Sequence, residues 1–519
     1  MDQLLVGGTV VDGTGAPPRR ADVLVRDGHI AAIGPVPPAP GVEVRDVAGA
    51  IVSPGFVDIH THSDLTVLSG PQARSKVHQG VTTEVVGNCG LGVAPLPAGA
   101  DVAEIRRLVS YLDLDPAVPL GWADTAGYLA AVRAARPSIN IATLTGHLPL
   151  RGGVVGFADR PATTDELARM CDLLAASFED GSVGLSTGLV YAPLCYSPDD
   201  ELLALARVAA THDRVFAWHV RDYGDNLLPS VRQALDIAEQ AGGRVQISHL
   251  TAVGRRNWDD LQRALDLVDA ARSREAEVGV DIYPYLFGNA PLAQVLPSWA
   301  QEGGADAMAA RLRDDDVRAR IRDTWRHRAI GWDEITVSWV PEGSSAESLV
   351  GQTIAAAGGD EVALDLLATL TTSVLMIAGG RSENNLRAVL DHPAAVVASD
   401  GLCLDPDGVT GAGSPHPRSY GCFPRYLARY AKDVAAAVQR CTSAPARVIG
   451  LDRGVLREGA VADVVVFAPD RLADAATFTD PQRYPDGIDL VMVGGEVVID
   501  GGAHTGRRPG TAIGRRDNT

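Results

Sequence analysis

Residues 54–64, PGFVDIHTHSD, raise the question of why an apolar strand pattern should finish in two histidines separated by one threonine. Gly55-Phe56-Val57-Asp58-Ile59 reads as a buried strand. Alternate side chains of a strand share a face, so His60 and His62 point the same way. Two titratable rings crowded on one face are unfavourable unless something draws them together, and a metal cation is the usual reason. An isolated His-Thr-His fits equally well as two surface histidines at a strand end, so the rest of the chain decides.

The chain has 519 residues, room for several domains of about 150 residues or for one large barrel with a smaller module. With 46% hydrophobic and 21% charged residues, a packed core is expected. A net charge of -19 argues against nucleic acid or an anionic membrane as partner. MDQLLVGGTVVDG has no basic segment leading into an apolar run, and no apolar stretch approaches about 18 residues, so a cytoplasmic protein is expected. The six cysteines are scattered without a Cys-x-x-Cys pair, which argues against a disulfide framework.

VGGTVVDG near the start is echoed by VGGEVVIDG near the end, and ADVLVRDG and ADVVVFAPD add further strand patterns at each terminus. One small β-sandwich built from both termini is the simplest reading; two unrelated hairpins is the other. Between them, short apolar strands alternate with helical stretches such as DELARMCDLLAASFEDG and SVRQALDIAEQAGG. Eight strand candidates, GFVDIHTH, TTEVVG, NIATLTGH, VGLSTGL, VFAWHV, VQISHL, VGVDIYPY and AVVASDG, predict an α/β fold, a closed (β/α)8 barrel. The expected division is residues 1–53 plus 446–519 as the sandwich and 54–445 as the barrel, with an insertion between strands 7 and 8 at about 286–393. That insertion contains DEITVSWVPEG and would cover the active site.

Barrel chemistry sits at the C-terminal strand ends. His60 and His62 end the first candidate strand, Cys89 follows the second in GNCG, His147 ends the third, His219 the fifth, His249 the sixth, and Asp400 the eighth. A lone strand-end histidine is more often structural, but five at matching ends, joined by a thiol and a carboxylate, point to a metal site. Nitrogen, sulfur and carboxylate donors together suit zinc better than magnesium or calcium. Cys89 is the preferred thiolate, since Asn88-Cys89-Gly90 lies where the loop turns over the barrel mouth.

PGFVDIHTHSD, QGVTTEVVGNCG, GLSTGLVYAP, HVRD, ISHL, DIYPY, SDG, HPRSYGCFPRYL and GLDRGVLREGAVADVVVF, in this order over almost the whole chain, resemble the N-acyl-D-amino-acid deacylases (D-aminoacylases) of the amidohydrolase superfamily. The resemblance implies that Cys89, His219 and His249 hold a tightly bound zinc, while His60, His62 and Asp400 frame a second, weaker position. Cys89 would replace the carbamylated lysine of related hydantoinases. Many relatives carry a lysine two residues after the second metal histidine, where this chain has Thr251.

The expected reaction is zinc-dependent hydrolysis of an N-acyl-D-amino acid, a small-molecule substrate. Zinc would polarise the carbonyl, and Asp400 would take a proton from water and deliver one to the leaving nitrogen. Arg418 in HPRSYG is the first candidate for gripping the substrate carboxylate, because a guanidinium binds one with two parallel bonds. Tyr283, Tyr191 and Arg221 are placed to assist, with ordinary packing or salt bridging as their other reading. D-selectivity follows from the resemblance alone. Leu286 and Leu402 suggest a pocket for an apolar side chain such as leucine or methionine. The same site chemistry would serve a D-residue dipeptidase or a cyclic-amide hydrolase, and a non-catalytic metal-binding scaffold is the reading outside catalysis.

Overall fold

Each strand expected in the interior forms: Phe56–Asp58, Val81–Val86, Asn140–Gly146, Gly184–Gly188, Val215–His219, Arg244–Ile247, Val278–Ile282 and Ala395–Val397. Each pairs in parallel with the next, in chain order. The ring closes through two backbone bonds just beyond the strand ends. Asp400 N–H donates to the His60 carbonyl (2.8 Å), and His62 N–H to the Gly401 carbonyl (2.9 Å). The computed structural model describes residues 2–514; residues 515–519, at the end of the expected C-terminal part of the sandwich, lie outside it.

Several barrel strands are buried along their whole length, as parallel strands covered on both faces must be. The covering helices start and stop on local signals. Helix Thr164–Glu179 opens on a capping box between Thr163 and Glu166. Helix Leu227–Ala241 ends at Gly242, whose φ of 65° accepts the left-handed turn.

A buried ionic knot stitches the closing seam. Lys76 Nζ lies 3.0 Å from Asp58 Oδ2, 2.9 Å from Glu84 Oε1 and 2.6 Å from Ser399 Oγ. It thus joins the first strand, the second strand and the segment leaving the last. All four residues are fully buried, and removing one partner of such a group typically costs about 3–5 kcal/mol.

The termini build a sandwich of two sheets, one of four strands and one of seven, the larger drawing strands from both ends of the chain. Leu5, Val23, Val52, Val464, Leu490 and Met492 belong to the core between them. The two Gly-Gly echoes do different work. Gly7-Gly8 carries the chain from strand Gln3–Val6 in one sheet to Thr9–Val10 in the other, whereas Gly494-Gly495 turns a hairpin within the larger sheet.

Between barrel strands 7 and 8 stands a three-stranded antiparallel sheet, Gly288–Pro291, Leu375–Ala378 and Ile335–Trp339 in spatial order, with four helices and its own core. Helix Glu383–Asp391, which the sequence reading placed in this insertion, instead buries Leu386, Val389 and Leu390 in the barrel core. Its three apolar residues fall on one face, as a barrel-covering helix requires. Among the described residues no helix is long and apolar enough to cross a membrane.

Candidate active site

The expected ligands meet at the C-terminal mouth of the barrel in two overlapping groups. His60, His62, Cys89 and Asp400 form one, and Cys89, His219 and His249 the other; within each, the donor atoms all lie within 4.8 Å of one another. Cys89 belongs to both, with its Sγ 3.3 Å from His60 Nε2 and 3.5 Å from His249 Nε2. Asp400 Oδ1 stands 3.0 Å from His62 Nε2 and 3.4 Å from His60 Nε2.

Three of these residues hold a left-handed backbone that only glycine adopts freely: Cys89 (φ 54°), His249 (φ 37°) and Asp400 (φ 50°). Each costs on the order of 1–3 kcal/mol, and such strain gathers where a side chain must be aimed. Glycine makes room for the thiol loop. A Cβ on Gly188 would lie 2.1 Å from the Cys89 carbonyl oxygen, and one on Gly87 would lie 2.2 Å from that of Leu144.

The donor set fits a thiophilic divalent cation. Both ring nitrogens of His219 are buried without a hydrogen-bond partner, which is costly unless an acceptor of lone pairs sits between the rings. Burial, against the opposing pull of Asp400, pushes His219 down to about 3 and His62 down to about 4, so both rings are neutral and able to ligate. Burial also pushes the Cys89 thiol up to about 11, against the opposing pull of His60; a bound cation would reverse that. For His60 burial works downward, but Cys89, Asp281 and Asp400 outweigh it and hold the ring well above its ordinary value.

Asp281 was given no role from sequence, yet it orients two ligands. Its Oδ1 lies 3.1 Å from His60 Nδ1 and accepts the His249 backbone N–H at 2.8 Å, while Gln246 secures the other oxygen. A carboxylate behind a ligating imidazole fixes its ring and tautomer. His147 takes no part in the ligand groups. It is locked between Thr187 Oγ1 and Glu201 Oε1, each 3.0 Å away, and Arg151 pairs with the other Glu201 oxygen.

Above the ligands opens a cavity of about 340 Å³, reached by His62, Cys89, His219, His249 and Asp400 from below. Tyr191, Tyr283, Arg221 and Thr251 line it. Arg221, however, spends its guanidinium on Gln233 Oε1 and on the carbonyls of Cys195 and Ser197, which anchors a loop.

Arg418 corrects the sequence reading. It is buried off the cavity wall and donates from Nη1 to Asp400 Oδ2 (2.8 Å) and from Nη2 to the Tyr111 hydroxyl (2.8 Å). A buried guanidinium pairs with the nearest buried carboxylate, and here that is the protein's own. Burial alone would raise the Asp400 carboxyl, but Arg418 and the surrounding histidines hold it well below the usual range. The wall carries another cation, Arg381, unforeseen from sequence. No hydrogen bond or ion pair joins it to any described residue, its Nη1 is buried unpartnered, and its guanidinium lies 4.8 Å from the Tyr283 ring centre. Leu286 and Leu402 do not reach this cavity; its apolar wall comes from the inserted sheet and the loops around it.

Comparison with known proteins agrees with this arrangement. The model of the amidohydrolase family matches residues 43–499. An N-acyl-D-glutamate deacylase of Alcaligenes xylosoxydans xylosoxydans is 35% identical, covering 100% of this chain and 97% of its own. A D-aminoacylase of the same organism is 33% identical over 99% and 98%. The crystal structure of N-acyl-D-glutamate deacylase from Bordetella bronchiseptica, complexed with zinc and a phosphonate mimic of the reaction's tetrahedral intermediate, superposes with a TM-score of 0.82 at 35% identity, over 99% of both chains. A thiol shared by two ligand groups at a barrel mouth, carried on a chain that aligns end to end with these enzymes, has one consistent explanation: the chain belongs to the amidohydrolase family and stands with its D-aminoacylase members.

Proposed function

We propose that the protein hydrolyses the amide bond of N-acyl-D-amino acids, releasing a carboxylic acid and a free D-amino acid. The observation that carries this reading is the pair of ligand groups sharing Cys89 beneath a cavity whose wall holds one unpaired guanidinium, Arg381. Zinc, present in the deacylase structure above, suits Cys89, His219 and His249, with His60, His62 and Asp400 framing a second and weaker position. When bound, it supplies Lewis-acid polarisation of the acyl carbonyl and makes water acidic enough to deprotonate near neutrality.

The chain's own residues do the rest. Arg418 holds Asp400 Oδ2, which leaves Oδ1 facing His60 and His62. Asp400 is thereby ionised and aimed, ready to take a proton from the attacking water and to pass one to the departing nitrogen. Arg381 receives the substrate carboxylate, with Tyr283 packed against it.

Fixing the carboxylate at Arg381 and the carbonyl at the ligand groups leaves one direction open for the side chain, so handedness is read by geometry. In a paired panel of N-acetyl-D- and N-acetyl-L-amino acids with zinc present, the D-series is expected to release free amine faster by on the order of 100-fold or more. Faster turnover of the L-series would sink the proposal. Arg381→Ala is expected to lose about 10–100-fold in kcat/KM on an N-acetyl-D-amino acid and far less on the matching amide without a carboxylate, in line with one lost charge-assisted hydrogen bond. Equal losses on both would place Arg381 outside recognition.

A further inference from the structure

At the end of the barrel opposite the ligand groups lies a second cavity, of about 380 Å³. Val215, Arg244, Val278 and Ala395, each the first residue of its strand, line one side of it. Helices Val434–Cys441 and Ser443–Val448 close the other side and bring Arg440 and Arg447 to the wall. Arg272 completes a set of four guanidiniums, with Arg244 and Arg440 half-buried and Arg272 and Arg447 exposed at the rim. Three of them are anchored on carbonyls of wall residues: Arg244 Nη1 on Val448 (3.4 Å), Arg272 Nη1 on Val278 (2.7 Å) and Arg440 Nη1 on Ala395 (2.9 Å). These bonds hold the groups in place, yet a carbonyl does not cancel a full charge. Asp213 (2.9 Å) and Glu277 (3.9 Å) answer Arg244 alone, and Glu277, its side chain 74% exposed, is the one carboxylate on the wall. Among the described residues no ion pair joins Arg272, Arg440 or Arg447 to a carboxylate.

We propose that this cavity binds a small organic anion, its carboxylate or phosphate head among the four arginines and its apolar body against the strand starts. Like charges gathered in one concavity repel one another unless a counterion enters. In a chain of net charge -19 such a gathering is not the general character of the surface, and a concave basic wall focuses anions. The donors to hold one are at hand. A guanidinium offers five N–H groups; Arg244 Nε is buried without a hydrogen-bond partner, and Arg272 spends only Nη1. Bracing the barrel floor accounts for Arg244 and Arg440, whose bonds tie the sheet to the helices. It does not account for Arg447, whose side chain makes no hydrogen bond to any described residue. The remaining wall is largely alkyl, with Val215, Val245, Val278, Pro393, Ala444 and Val448, so a hydrocarbon body gains there by leaving water. The volume lies in the range of small-molecule sites.

The test is titration calorimetry on the full-length, zinc-loaded protein with hexanoate, hexyl phosphate and, as the uncharged control, hexanol. At least one of the two anions is expected to bind more tightly than hexanol, and the tighter anion identifies the head group. Arg272→Glu combined with Arg447→Glu is expected to weaken that binding event by about tenfold or more, in line with the loss of charge-assisted hydrogen bonds. Both positions are exposed at the rim, so the thermal transition of the ligand-free variant should match that of the unaltered protein. A second measurement needs no variant: added salt should weaken the same event in the unaltered protein, as it does for an exposed charge pair. Arg381→Ala, in the active-site cavity, is expected to leave the event in place. Anion binding that survives the double charge reversal undiminished, hexanol binding as tight as either anion, or no binding of either anion overturns the proposal. None of these outcomes bears on the deacylase reading, since the cavity lies at the other end of the barrel.

Discussion

Cys89→Ala is expected to purify without its tightly held zinc and with amide hydrolysis at the background rate. The thiol is the one donor common to both ligand groups, so its loss takes a ligand from each. Outer partners of ligating residues cost roughly 10–100-fold when removed, and a shared inner donor should cost more. Collapse of the fold would not explain the result. The side chain removed is small, and alanine meets the same left-handed backbone penalty that cysteine already bears at φ 54°. Metal content by atomic emission, read beside the thermal transition, settles the point: a variant that keeps both its zinc and its activity removes Cys89 from the centre.

Asp400→Asn is expected to keep its zinc and lose about 10²–10⁴-fold in kcat, the usual worth of a positioned acid–base group. The amide preserves the shape of the carboxylate and still accepts from Arg418, but it cannot take up the proton from water. Because Cys89, His219 and His249 do not depend on residue 400, metal loading and turnover should part company. A second consequence is thermodynamic. Arg418, about 1% exposed, would lose its counterion and be left a buried unpaired cation, a loss of about 3–5 kcal/mol that would lower the melting temperature. Full turnover by a zinc-loaded Asp400→Asn protein would falsify the assignment of the acid–base role.

The barrel was legible because its signal is repetitive: a short apolar run recurs eight times, and at six of those strands a histidine, cysteine or aspartate stands at or just beyond the end. The ligands were legible for the same reason, since His60, His219 and His249 each sit where a strand pattern stops. Asp281 escaped because it lies inside an apolar strand run, VGVDI, away from the expected position for chemistry. Arg381 escaped because it follows the insertion, and only the folded chain shows that its guanidinium turns into the cavity unpaired. With Arg418 the residue type was well chosen and its partner was not. A sequence shows that a guanidinium is present near the mouth, but not that Asp400 reaches it first. His147 matches the strand-end rule and fails it for a related reason, since Glu201 on the neighbouring helix captures its ring.

The seam that closes the barrel joins His60 and His62 to Asp400 and Gly401 by backbone hydrogen bonds, so two ends of the chain's history meet there. On the ribosome, His60 emerges early and must wait for more than three hundred further residues before its neighbour across the seam exists. The larger sheet of the sandwich waits longer, until strand Ala503–His504 is made. A nascent chain therefore holds several metal-binding side chains but no complete pair of ligand groups until Asp400 has been made. A chain that stops before the last barrel strand lacks Asp400 and cannot close the seam on His60.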